Sequence, residues 1–220
     1  MEVVTPFEDG KEERVYVDAA ERYERLYELG LQERVLLDAV EYGQAYALAC
    51  TENDPPTLSG IEAWGKTVRK LRDSLGQLGW KRDNSHNYPT VVHPDGGFAI
   101  AACGGNCDTG KPDKIPVPRS DKGPLTKHAV NLNQLSFAGL DVPVAAEFPR
   151  PMQTRLLLYY RDEEEEETRV ELALPDEITE AGWIYSWRER IILSAIPFFP
   201  VPMADDEPQE PDIDVRVERR

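Results

Sequence analysis

Along the first eighty positions apolar residues recur with the 3.6-residue period of helices packed by one face. Tyr23, Leu26 and Tyr27 share one side of a segment from about Ala19 to Leu29, with Asp18 placed to cap its start and Gly30 to end it. Glu21 and Arg25 make an i,i+4 pair on the polar side. A second stripe, Val35, Leu36, Ala39, Val40 and Ala47, predicts a helix from about Gln32 to Cys50, and the short link between the two makes an αα-hairpin. After Asp54-Pro55-Pro56, Ser59 and Glu62 read as a capping box. The helix they open runs to about Leu78, with Ile61, Trp64, Val68, Leu71, Leu75 and Leu78 on its apolar face.

Past Trp80 the period shortens to two. Segments 89–93 and 98–103 flank Pro94-Asp95-Gly96-Gly97, which suits a type I turn followed by a left-handed glycine and predicts a hairpin. Residues 104–124 are rich in glycine, proline and lysine without apolar rhythm, and a loop of that length is either functional or mobile. A short fourth helix is expected at about 125–137. Strands follow at about 154–161, 168–174 and 185–195, the first two joined by the acidic turn 162–167. Val170, Leu172 and Leu174 alternate with Arg169, Glu171 and Ala173, the mark of a half-buried strand. The expected fold is therefore α+β, one domain over residues 1–202. An N-terminal helical hairpin and a third long helix (about 18–79) pack on a mainly antiparallel sheet (about 80–196). Residues 203–220, polar and proline-bearing, read as a disordered acidic tail.

Charge adds what the periodicity leaves out. The 220 residues carry 41 acidic against 25 basic side chains, a net of −16. Residues 61–130 form a basic island between two acidic flanks. So negative a molecule repels nucleic acid and anionic membranes at long range and favours cationic partners. A chain of this length can bury roughly 70% of its unfolded surface, so neither metal nor disulfide is needed for stability. Three cysteines give no disulfide framework. The first residues lack the basic and apolar segments of a secretion signal, and no apolar run approaches the ~20 residues of a membrane span. The expected compartment is the cytoplasm, with no membrane partner.

The residue types allow three chemistries besides a purely electrostatic one. His86, His93, Cys103 and Cys107 are ligand types that zinc prefers, and His93 and Cys103 could meet across the hairpin; Cys-x3-Cys is looser than the usual knuckle. The same region, 86–128, could hold a thiol nucleophile with His86, His93 or His128 as base, although no spacing singles out a pair and no nucleotide-binding or hydrolase motif occurs. The basic segment 61–130, with Trp80 and Tyr88, could bind single-stranded nucleic acid, or could serve internally to neutralise the acidic elements around it. The most economical use of the charge is a non-enzymatic one. Glu21, Glu24 and Glu28 of the first helix, Glu33, Asp38 and Glu41 of the second, and the turn residues Glu163, Glu164, Glu165, Glu166 and Glu167 would engage a cationic protein partner. If they shared a face they could mimic a duplex in the groove of a nucleic-acid-binding protein.

Overall fold

The elements form where local chemistry directs them. A computed structural model of the protein describes residues 13–85, 88–119, 153–178 and 184–198. Strand β1 (Arg14–Tyr16) leads into helix α1 (Ala19–Glu28), whose start is capped by Asp18 Oδ1, accepting from the Ala20 amide at 2.9 Å and the Glu21 amide at 3.3 Å. Gly30 at φ 65° turns the chain into α2 (Glu33–Leu48). Helix α3 spans Leu58–Gly76. The expected capping box at its start does not form: the Pro55 carbonyl accepts from the Leu58 amide at 2.8 Å, and this proline turn enters the helix before Ser59 can act as a cap.

Strands β2 (Lys81–Asp83), β3 (Thr90–Val92), β4 (Phe98–Gly104), β5 (Gln153–Asp162), β6 (Glu167–Ile178), β7 (Ile184–Ile192) and β8 (Ile196–Pro197) complete the chain order. They make one sheet in the order β1-β7-β6-β5-β4-β3-β2, with β8 beside β6. Only β1–β7 and β4–β5 are parallel, so the sheet is mixed and mainly antiparallel, and the fold is α+β as its pattern predicts. The β3–β4 turn carries the expected left-handed glycine, Gly96 at φ 74°. No helix among the described residues is long and apolar enough to cross a membrane. The expected fourth helix and the acidic tail lie outside the described residues.

The three helices cover one face of the sheet. Leu26, Leu36, Val40, Leu71 and Leu75 pack there on Ile100, Leu157, Val170, Leu172 and Ile191. The buried seam of α3 is Ala63, Thr67, Leu71 and Leu75, not the full predicted stripe. A Cβ at Gly43 of α2 would run into Thr67 Oγ1 and the Ala63 carbonyl, so the helices cross at their smallest residues. That crossing turns Ile61 and Trp64 outward, where they stand 55% and 40% exposed.

The opposite face carries a second cluster of Ala101, Leu156, Leu158, Ala173, Ile184 and Trp187, and residues 105–119 lie over it. The segment without apolar rhythm is thus pinned by side chains from the sheet. Arg169 donates to the carbonyls of Thr109 and Cys107, both at 2.9 Å; Arg190 donates to those of Lys114 at 2.6 Å and Lys111 at 2.9 Å; Trp187 Nε1 donates to that of Pro116 at 3.0 Å. A β-bulge lets Glu189 pair with Leu174 and Trp187 with Pro175, so Trp187 faces this strap while Glu189 faces the helices.

Candidate functional sites

Two concave regions gather polar side chains. The first is a groove of about 380 Å³ between α1 and β1, lined by Arg14, Val15, Tyr16, Glu21, Glu24, Arg25 and Glu28. Helical spacing aligns the three glutamates, which are exposed. Among the described residues no strand pairs the outer edge of β1. Arg25 is drawn beneath the groove onto Glu189 of β7, Nε to Oε1 at 3.0 Å and Nη2 to Oε2 at 2.8 Å. Arg155, whose side chain is 2% exposed, binds the same carboxylate at 2.9 Å. Burial alone would raise the Glu189 carboxyl; the hydrogen bonds and charges of Arg25 and Arg155 outweigh it and hold it below the usual carboxylate range. Beside the glutamates, Tyr23 and Tyr27 stand 69% and 74% exposed with their rings stacked at 6.4 Å.

The other acids named from sequence lie elsewhere and several are engaged. Glu33 pairs with Arg22 at 3.3 Å and accepts from the Ser194 amide at 2.7 Å. Asp38 and Glu41 both bind Arg34, and Glu28 binds Arg25. Glu163 binds Arg161 at 2.7 Å. Glu164, Glu165 and Glu166 sit exposed in the β5–β6 turn, shaped by the Asp162 carboxylate accepting from the Glu164 and Glu165 amides, and Glu167 begins β6. Among the described residues no ion pair joins the basic island to these acids. Lys66 and Arg69 pair with Glu62 and Asp73 of their own helix. Arg72 of the island instead donates to the Asp83 and Thr90 carbonyls, and Arg155, Arg169 and Arg190 of the acidic C-terminal third pair with acids of that same third.

His93 and Cys103 do not meet across the hairpin. His93 stands opposite Phe98, which is five positions from Cys103 along β4, roughly 16 Å at strand rise. His93 is held by Asp95 at 2.6 Å and packs against Phe98 and Trp80. Cys107 is exposed in the strap, and Cys103 packs with the second-face cluster. Among the described residues no three His, Cys, Asp or Glu side chains converge to hold a metal. His86 and His128 lie outside those residues.

The second region, which no sequence pattern announces, is a cleft of about 770 Å³ where the α2–α3 connection faces the β4 edge. Leu48, Ser59 and Trp64 form one wall; Ala101 to Gly105, Tyr159 and Tyr160 form the other, with Tyr88, Arg119 and Arg161 at the sides. The His93 amide donates to the Phe98 carbonyl and the Arg119 amide to the Gly104 carbonyl, both at 2.9 Å. Strand alternation therefore aims the amide and carbonyl of Ala102 at the same edge. The β3–β4 ladder stops at Val91–Ile100, and Pro89, which the same register would set opposite Ala102, has no N–H to donate. Tyr159 is buried, which raises its hydroxyl above the ordinary tyrosine range, with Cys103 adding to and Arg119 opposing the shift. Trp64 belongs to this wall because of the Gly43 crossing, a signal that small residues carry and hydropathy does not.

No family model, curated protein or solved structure matches this chain.

Proposed function

We propose that the chain is a non-enzymatic interaction module that takes a lysine- or arginine-bearing extended segment of a protein partner into the groove between α1 and β1. The observation that carries the reading is the alignment of Glu21, Glu24 and Glu28 beside a sheet edge that no described strand covers. Carboxylates three or four positions apart on a helix stand about 5–6 Å from one another, and alternate side chains of a strand about 6.6–6.8 Å apart. A strand laid along β1 could therefore set successive cationic side chains against successive glutamates, while its backbone bonds to the edge. Glu189 supports this by engaging Arg25 and Arg155, which would otherwise add positive charge under the groove. Arg14 is the groove cation that no described carboxylate pairs, and the partner's charge would displace it. Tyr23 and Tyr27 offer flat faces to a neighbouring ammonium or guanidinium.

Nucleic-acid-binding proteins present such basic segments, and one of them is the partner class we favour. The ion pairs at Glu33, Asp38, Glu41 and Glu163, all outside the groove, make a local groove a better account than mimicry of a whole duplex. The test uses fluorescent nine-residue peptides alternating lysine and valine, titrated at low and moderate salt. Affinity should fall as salt rises, and should fall further when Glu21, Glu24 and Glu28 are all changed to glutamine. Equal binding by the triple variant and the parent protein, with unchanged circular dichroism, would rule the groove out.

A further inference from the structure

We propose that the cleft between the α2–α3 connection and β4 binds the carboxylate end of an extended peptide, laid as a short strand beside Ala102. The site is separate from the acidic groove and does not depend on it. Its volume, about 770 Å³, lies in the range of sites that enclose small ligands.

Three features define what fits. The first is the backbone of Ala102. Its amide and carbonyl point into the cleft, and among the described residues no backbone group bonds them there. A ligand strand parallel to β4 satisfies both, the residues on either side of the one facing Ala102 accepting from its amide and donating to its carbonyl, and runs its carboxylate toward Gly104. The second is Arg119. It is exposed at the cleft, and no described carboxylate pairs with it, in contrast to Arg161, which holds Glu163. Its own amide bonds Gly104, and its Cβ and Cδ lie 3.9 and 4.0 Å from where a Cβ on Gly104 would stand, so the arginine side chain sits two residues of β4 beyond the open pair. A terminal carboxylate is the planar anion that an arginine fork receives with two hydrogen bonds. The phenol of Tyr159, kept protonated by burial, stands within electrostatic range of the same arginine. The third is the apolar wall. Leu48 and Trp64, 61% and 40% exposed, give a ligand side chain a surface to cover.

The net charge of −16 opposes an anion at long range. Recognition therefore rests on contacts made inside the cleft, and added salt weakens it far less than it weakens cation binding at the groove.

The experiment is a titration of the 15N-labelled full chain with N-acetyl-Ala-Ala-Leu as its free acid, and in parallel as its C-terminal amide. The free acid should shift the Ala102 amide and the Trp64 indole resonances saturably, and should bind about tenfold or more tightly than the amide, the usual yield of a charge-assisted hydrogen bond. Arg119→Gln, a surface change, should bring the acid to the affinity of the amide while leaving the amide's affinity unchanged. An ester replacing the last peptide bond removes the N–H offered to the Ala102 carbonyl and should weaken the acid further. Absence of a saturable shift at Ala102 would overturn the proposal. So would equal binding of acid and amide, or a preference for the acid that survives Arg119→Gln.

Discussion

Replacing Glu189 with leucine perturbs both the core and the groove above it. The carboxylate receives Arg25 through two hydrogen bonds and Arg155 through Nη1 at 2.9 Å and Nη2 at 3.4 Å. Arg25 keeps Glu28 and a quarter of its side-chain surface, so it tolerates the loss. Arg155, at 2% exposure, is left as an uncompensated charge in the interior. Removing one member of a buried pair costs about 3–5 kcal/mol, whereas replacing the whole pair with apolar side chains is often near neutral. The variant Arg155→Met combined with Glu189→Leu should therefore recover most of the loss, giving a coupling energy of about 2–4 kcal/mol between the two positions. Urea unfolding followed by tryptophan fluorescence reads this directly. With a slope near 2 kcal/mol/M, the single substitution lowers the midpoint by about 1.5–2.5 M and the double one returns it to within about 0.5 M of the parent. A single variant within about 0.3 M of the parent, or a double variant less stable than the single, would refute the reasoning. The single variant should also bind the lysine–valine peptide more weakly, because Arg25 then turns toward Glu24 and Glu28.

Two further outcomes follow from the same packing and charges. Gly43→Ala should destabilise the protein by about 1–3 kcal/mol in the same urea assay, although alanine is the better helix former, because its methyl strikes Thr67 and the Ala63 carbonyl. Acid should lower stability through Glu189: its folded pKa is depressed, so its contribution is complete above the ordinary value of 4.5 and is lost as pH falls through the folded value. The urea midpoint of the parent should then drop between about pH 5 and pH 3 more steeply than that of the doubly substituted variant, which lacks the group.

What was legible in the sequence was local. Asp18 and Gly30 bound the first helix, Gly96 takes the left-handed turn, and the alternation through Val170 and Leu172 marks a strand, because each signal lies within a few residues of what it specifies. The rest depends on partners distant in the chain. Ile61 and Trp64 have the period of a buried face, yet the depth at which α2 meets α3 is set by Gly43 against Ala63 and Thr67, and hydropathy is blind to a missing side chain. Residues 105–119 lack apolar rhythm because carbonyls hold them, bonded to Arg169, Trp187 and Arg190 some sixty to eighty positions away. The glutamates of α1 were named from the sequence, but their groove needed β1, too short to announce itself, and an arginine drawn off by Glu189. The cleft had no sequence signal at all, since its open backbone pair arises from where one ladder stops.

The two proposed sites ask for ligands of opposite charge, and the sheet order makes that compatible. Groove and cleft sit at β1 and β4, with β7, β6 and β5 between them. Four strand spacings amount to about 19 Å, more than twice the ~8 Å over which physiological salt screens a charge. The glutamates of α1 therefore do little to the field at Arg119, and a cationic chain held on β1 does not empty an anion site at β4. At low ionic strength the screening length grows to about 30 Å and the separation no longer suffices. Filling the groove with the lysine–valine peptide should then strengthen binding of N-acetyl-Ala-Ala-Leu in the cleft, by removing part of the negative charge that repels it, and the effect should vanish when salt is restored. Coupling that persisted at physiological salt would mean that the sheet itself, rather than the field, carries the signal between the two edges.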